Sequence, residues 1–246
     1  MQLDAFLRSY REHVSPLGVI HVLYLATSPR HASAYDEVFA LYDFAVPHVQ
    51  AVFKSNLLYL LPSEGNVVFF VDDQVFVRPW TVVEEPGLSL RLGLHLTRNY
   101  NSSDALQPLP PHEIDGEHVS WRWQDGQMAW GYPLSVDGHV YDAAEMRWMI
   151  APIHFHSPNT LESALQHFTP RFMERLGTCY RETKVVNIPW NSVQSDWMNR
   201  CGAGNEVDEM LTHWEAGKRI NLSRIYGVLN ESTHQEFPLM LEARHG

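Results

Sequence analysis

The stretch VVFFVDDQVFVRPW, Val67–Trp80, decides how the chain is read. Val67 to Val71 is apolar at every position, so it lacks the in–out alternation of a strand with one wet face. A run of that kind fits a central parallel strand covered by helices on both sides. Asp72 and Asp73 then interrupt it. Two adjacent carboxylates are costly to bury without partners. They stand at a strand end in water, or they hold something positive. Ligands of open α/β sheets bind beyond the carboxyl ends of the strands. Hard carboxylate oxygens there suit Mg2+ or Mn2+.

The flanking sequence extends this pattern. Leu3, Phe6, Leu7 and Tyr10 form one helical face over Leu3–His13. Val19–Leu25, VIHVLYL, reads as a buried strand, and Ser28-Pro29 opens a helix running to about Tyr42. Val49–Leu61 reads as a further amphipathic helix, with a turn at Ser63–Asn66 before the central run. Alternating strands and helices predict an α/β fold with a mostly parallel central sheet flanked by helices. Downstream, Leu88–Leu96 alternates like a strand, and residues 99–117 read as a loop. SWRWQDGQMAWGY reads as a hairpin turning at Asp125-Gly126. Thr160–Leu176 is read as helical, as is Glu206–Ala216 with Val207, Leu211 and Trp214 on one face.

Composition limits the function classes. At 246 residues and 45% hydrophobic content, the chain can bury a large core as one domain. A formal net charge of −11 with no basic run argues against nucleic acid and anionic membranes as partners. No 18-residue apolar stretch marks a transmembrane segment. The opening MQLDAFLRSYREHV lacks the regions of a signal peptide. Cys179 and Cys201 form no CxxC pair, so a reduced, cytoplasmic setting is expected.

Six segments, VVFFVDDQVF, SLRLG, WGYPLSVDGHVY, SPNTLESAL, NIPWNSVQ and STHQE, together resemble bacterial glycosyltransferases of the GT-A type, from about Leu3 to Glu236. The resemblance implies a GT-A-like (Rossmann-like) single domain. Residues 1–98 would form the nucleotide-sugar-binding half and 99–246 the acceptor side. It implies transfer of a sugar from a nucleotide-diphosphate donor to a glycan or other acceptor, with Mg2+ or Mn2+ as cofactor. Asp72-Asp73 would be the acidic metal motif, with Asp73 the direct metal ligand and Asp72 near the ribose. His234 would complete the metal shell, and Asp137 would be the catalytic base facing the acceptor. The family also has a strand ahead of the first helix, with which this sequence does not begin. That departure motivates an alternative, a non-catalytic relative acting as a carbohydrate-binding or assembly subunit. A phosphohydrolase using the same aspartates is a third reading.

Each residue also has a plainer reading. Asp137-Gly138 is equally an ordinary turn, since Gly138 permits positive φ. His234 is equally an exposed tail histidine. Arg91, like Lys218-Arg219, would counter diphosphate charge or pair with surface carboxylates. Glu162 is a second acidic candidate for the acceptor side, but it follows Asn159 at capping-box spacing and is read as part of a helix cap. His154 and His156 read as loop histidines. Of Trp121, Trp123, Trp130 and Trp190, one or two are expected in a cleft and the rest in the core. Gly202-Ala203-Gly204 lacks the context of a phosphate-binding loop.

Overall fold

A computed structural model describes residues 1–83, 85–191 and 206–244. Helix α1, Gln2–His13, buries Leu3 through Tyr10. It lies on the strand Gln74–Phe76, where the Phe76 N–H donates to Ser9 Oγ at 3.0 Å. Phe6, Tyr10, Phe70 and Phe76 pack as one aromatic group, with ring centroids 5.4–6.3 Å apart. Helix α2, Pro29–Leu41, starts as its Ser-Pro signal predicts, with the Ser28 side chain accepting from the His31 N–H. Helices α3 (Phe53–Leu60), α4 (Ala143–Ile150) and α5 (Pro158–Leu165) enclose a second core containing Leu57, Met146, Met149, Ile150 and Leu161. Helix α6, Val207–Glu215, buries Met210, Leu211 and Trp214.

The sheet contradicts the parallel, Rossmann-like expectation. Among the described residues the strands are short and fall into small sheets, the largest of four strands. That sheet runs His112–Asp115, His118–Arg122, Leu176–Tyr180, Leu88–Ser89, and only its last pairing is parallel. Ile20–Tyr24 and Ala45–Val49 do pair in parallel, but as a separate two-stranded unit. The run Val67–Val71 explains the misreading. It is half-buried throughout. Its first part, Asn66–Val68, pairs antiparallel with Val140–Asp142. The chain then turns, with Gln74 N–H donating to Val71 O at 3.2 Å and Val71 N–H donating to Gln74 Oε1 at 3.0 Å. Gln74–Phe76 beyond the turn pairs antiparallel with Val185–Asn187. An unbroken apolar run does not encode the direction of its partner, and here the two aspartates occupy the middle of a turn.

Other boundaries also shift. Only Leu88–Ser89 of the alternating Leu88–Leu96 segment is strand, and Leu90, Leu92 and Leu96 are buried by side-chain packing instead. Val49 ends a strand rather than starting a helix. The expected hairpin at Asp125-Gly126 is absent, because Trp123–Asp125 and Met128–Gly131 form 3-10 turns. The real hairpin is earlier, at Gly116, whose φ is +57°. Helix α5 stops at Leu165, continues as a 3-10 turn over Gln166–Arg171, and gives way to strand at Leu176.

Candidate functional site

Gly138 draws the site together. Its N–H donates to Phe69 O at 2.7 Å, and its carbonyl accepts from Leu90 N–H at 2.8 Å. One residue thus ties the segment carrying Asp72-Asp73 and the segment carrying Arg91 to Asp137. Its φ is +74°, and a Cβ there would lie 3.0 Å from Val185 Cγ1, so glycine fits this position on both counts.

Arg91 and Asp137 form a buried ion pair. Arg91 Nη1 donates to Asp137 Oδ2 at 3.1 Å and also to Ser135 Oγ, while Nη2 donates to Thr233 Oγ1 at 3.0 Å. Their side chains are 8% and 12% exposed. Arg91 Nε is buried with no hydrogen-bond partner among the described residues. His234 Nε2 lies 4.0 Å from Asp137 Oδ2, and its ring stacks on Tyr100 at 6.2 Å. Burial, reinforced by Arg91, lowers His234 to about 4 against the pull of Asp137, so the ring is neutral at pH 7.

Asp73 joins through Asn187. Asn187 Nδ2 donates to Asp73 Oδ1 at 3.2 Å, and its Oδ1 accepts from Gln74 Nε2 at 3.2 Å. The Asn187 backbone pairs with the His234 segment. Burial, then the charges of Asp137 and Asp72, hold the Asp73 carboxyl well above the usual range.

Glu162 is the residue that sequence reasoning misassigned. The cap of α5 is Ser157 with Thr160, not Asn159 with Glu162. Glu162 instead accepts from Val136 N–H at 2.7 Å, Ser135 Oγ at 3.1 Å and Tyr132 Oη at 3.1 Å. It grips the loop that carries Asp137. Burial first, then Asp137, raises its carboxyl. The signal was present: Ser157-Pro158 repeats the Ser28-Pro29 start, which moves Glu162 beyond the first helical turn.

Of the residues singled out from sequence, Asp73, Arg91, Asp137 and His234 therefore converge. Asp72 does not share the cluster. It borders a cavity of about 130 Å3 with Tyr35, His31, Asn191 and Trp214. Arg219 pairs with Glu242 at 2.8 Å. His154 and His156 are exposed in the loop before α5. All four tryptophans are buried, Trp123 at the wall of a cavity of about 70 Å3 beside Pro133 and His139. Gly202-Ala203-Gly204 and Cys201 lie outside the described residues. Among the described residues, no three His, Cys, Asp or Glu side chains stand at metal-holding spacing. No helix among them is long and apolar enough to cross a membrane.

No family model, curated protein or solved structure matches the chain.

Proposed function

We propose that the cluster around Asp137 is the catalytic pocket of a metal-dependent glycosyltransferase, which moves a sugar from a nucleotide-diphosphate donor to an acceptor hydroxyl. The observation that carries this reading is a charge deficit. Asp73, Asp137 and Glu162 lie along one polar cluster, Asp137 buried and the other two half-buried, in which Arg91 is the partner of Asp137. Three carboxylates beside one guanidinium leave the cluster two positive charges short, which one divalent cation would supply. Burial and mutual repulsion raise the Asp73 and Glu162 carboxyls, the direction expected of carboxylates short of a cation.

Asp73 and His234 would hold the ion, and water and the donor diphosphate would fill the remaining positions, as is usual for Mg2+. When bound, the ion supplies charge stabilisation to the leaving diphosphate. Asp137 would accept the proton of the acceptor hydroxyl, with its ion pair to Arg91 fixing its orientation. The neutral His234 beside it adds no competing charge.

The test is release of nucleoside diphosphate from a panel of nucleotide sugars with Mn2+. Asp137→Asn should lower the rate about 100-fold or more, the scale of a lost general base. Equal rates in both proteins would overturn the role of Asp137. Failure of any nucleotide to bind, alongside glycan binding, would favour the carbohydrate-binding alternative.

A further inference from the structure

Two histidines outside this cluster form a second arrangement with ligand chemistry. His21 and His48 stand on the adjacent parallel strands Ile20–Tyr24 and Ala45–Val49. The register sets His21 opposite Val46 and Leu23 opposite His48. Alternate residues share a face, so the two imidazoles are diagonal neighbours on one side of the pair. His21 Nδ1 lies 3.0 Å from His48 Nε2, with ring centroids 5.1 Å apart. His21 is exposed and His48 half-buried. Burial, then the neighbouring imidazole, lowers His48.

We propose that His21 and His48 chelate a borderline transition-metal ion, Cu2+, Ni2+ or Zn2+. Two nitrogens each ~2.0 Å from one ion are about 2.8 Å apart at a right angle and about 3.3 Å apart at the tetrahedral angle. The observed 3.0 Å falls within that span. The proton now shared between these two nitrogens moves to the far nitrogen of its own ring, the other tautomer of a neutral imidazole, and a modest rotation then turns both lone pairs onto a shared ion. Five residue pairs of parallel register fix the two backbones, so little ordering is needed on binding. The outer positions face solvent and take water. Imidazole donors select these ions over Mg2+ and Mn2+, which separates this site chemically from the carboxylate cluster.

The chain has fourteen histidines, so the experiment must separate this pair from the background. One equivalent of Cu2+ is added to the full chain and read by electron paramagnetic resonance, with calorimetry for affinity. The variants are His21→Asn, His48→Asn and both together. The wild type should show two-nitrogen equatorial coupling at one ion per chain. Either single variant should lose that pattern and bind about tenfold or more weakly. Both positions are at least partly accessible, and circular dichroism confirms that each variant is folded. An unchanged spectrum and affinity in the double variant would overturn the proposal, and so would a wild type that binds no first equivalent.

Discussion

The Arg91–Asp137 pair makes a quantitative prediction about the candidate site. Asp137→Asn removes the charge and keeps the shape. Arg91 is then a cation buried almost completely, with screening limited by its 8% exposed side chain. Removing one partner of a buried ion pair costs about 3–5 kcal/mol. Arg91 keeps Ser135 and Thr233 as acceptors, and the carbonyl of the introduced amide would supply a third, so the low end applies, about 3 kcal/mol. For a domain of this size that lowers Tm by roughly 6–12 °C. Arg91→Met leaves Asp137 unpaired beside Asp73 and Glu162, and costs about 3–5 kcal/mol. The double variant removes both charges and should fall short of the summed losses by about 2–3 kcal/mol. Urea unfolding of the four proteins closes the cycle. Single losses under about 1 kcal/mol that simply add would refute a coupled buried pair.

Three further outcomes follow from the same geometry. Gly138→Ala should lose about 2 kcal/mol or more in urea unfolding, from a left-handed φ of +74° and a contact 3.0 Å from Val185 Cγ1; an unchanged midpoint would mean the loop relaxes freely. His139 is 3% exposed and lowered to about 3 by burial and Arg91, so below about pH 6.5 the unfolded chain takes a proton that the folded chain refuses. Its contribution to stability therefore falls as pH falls from about 6.5 to about 3, and the cost of His139→Gln should shrink between pH 7 and pH 5 by up to about 1.4 kcal/mol per unit. A cost that does not vary with pH would contradict this. Glu162→Gln should weaken stability by about 1–3 kcal/mol in urea unfolding, because one of the three donors it accepts from would face an amide N–H.

Local signals in the sequence were read correctly where one residue type answers one backbone need. Ser28-Pro29 set the start of α2, and the apolar spacing of α6 located Leu211 and Trp214 of its buried face, whereas α1 is buried on all sides from Leu3 to Tyr10. Asp73 stands out in the sequence because it breaks an apolar run, and Arg91 as a cation within the apolar SLRLG, whereas Asp137 and His234 were marked only by the family resemblance. Strand direction was not legible. The run Val67–Val71 satisfies a central parallel strand and a half-buried antiparallel edge equally well, and the turn at Asp72-Asp73 is fixed by Gln74, whose amide reaches back to Val71. Glu162 was missed because two overlapping cap patterns compete at the start of α5, and the Ser-Pro pattern won. Asn187, Ser135 and Thr233 carried no signal at all. Each acts through a hydrogen bond to a residue far away in sequence, or through backbone pairing that only the fold creates.

The most direct measurement is a calorimetric titration of Mn2+ into the protein with a nucleoside diphosphate present, comparing wild type with Asp73→Asn. A cation at Asp73 competes with protons for a carboxyl that burial raises, so binding should strengthen with rising pH and release protons to the buffer. Wild type should show one saturable event with that proton release, and Asp73→Asn should show none. The same isotherm in both proteins, or no Mn2+ binding by the wild type, would contradict a metal-dependent donor site at this cluster.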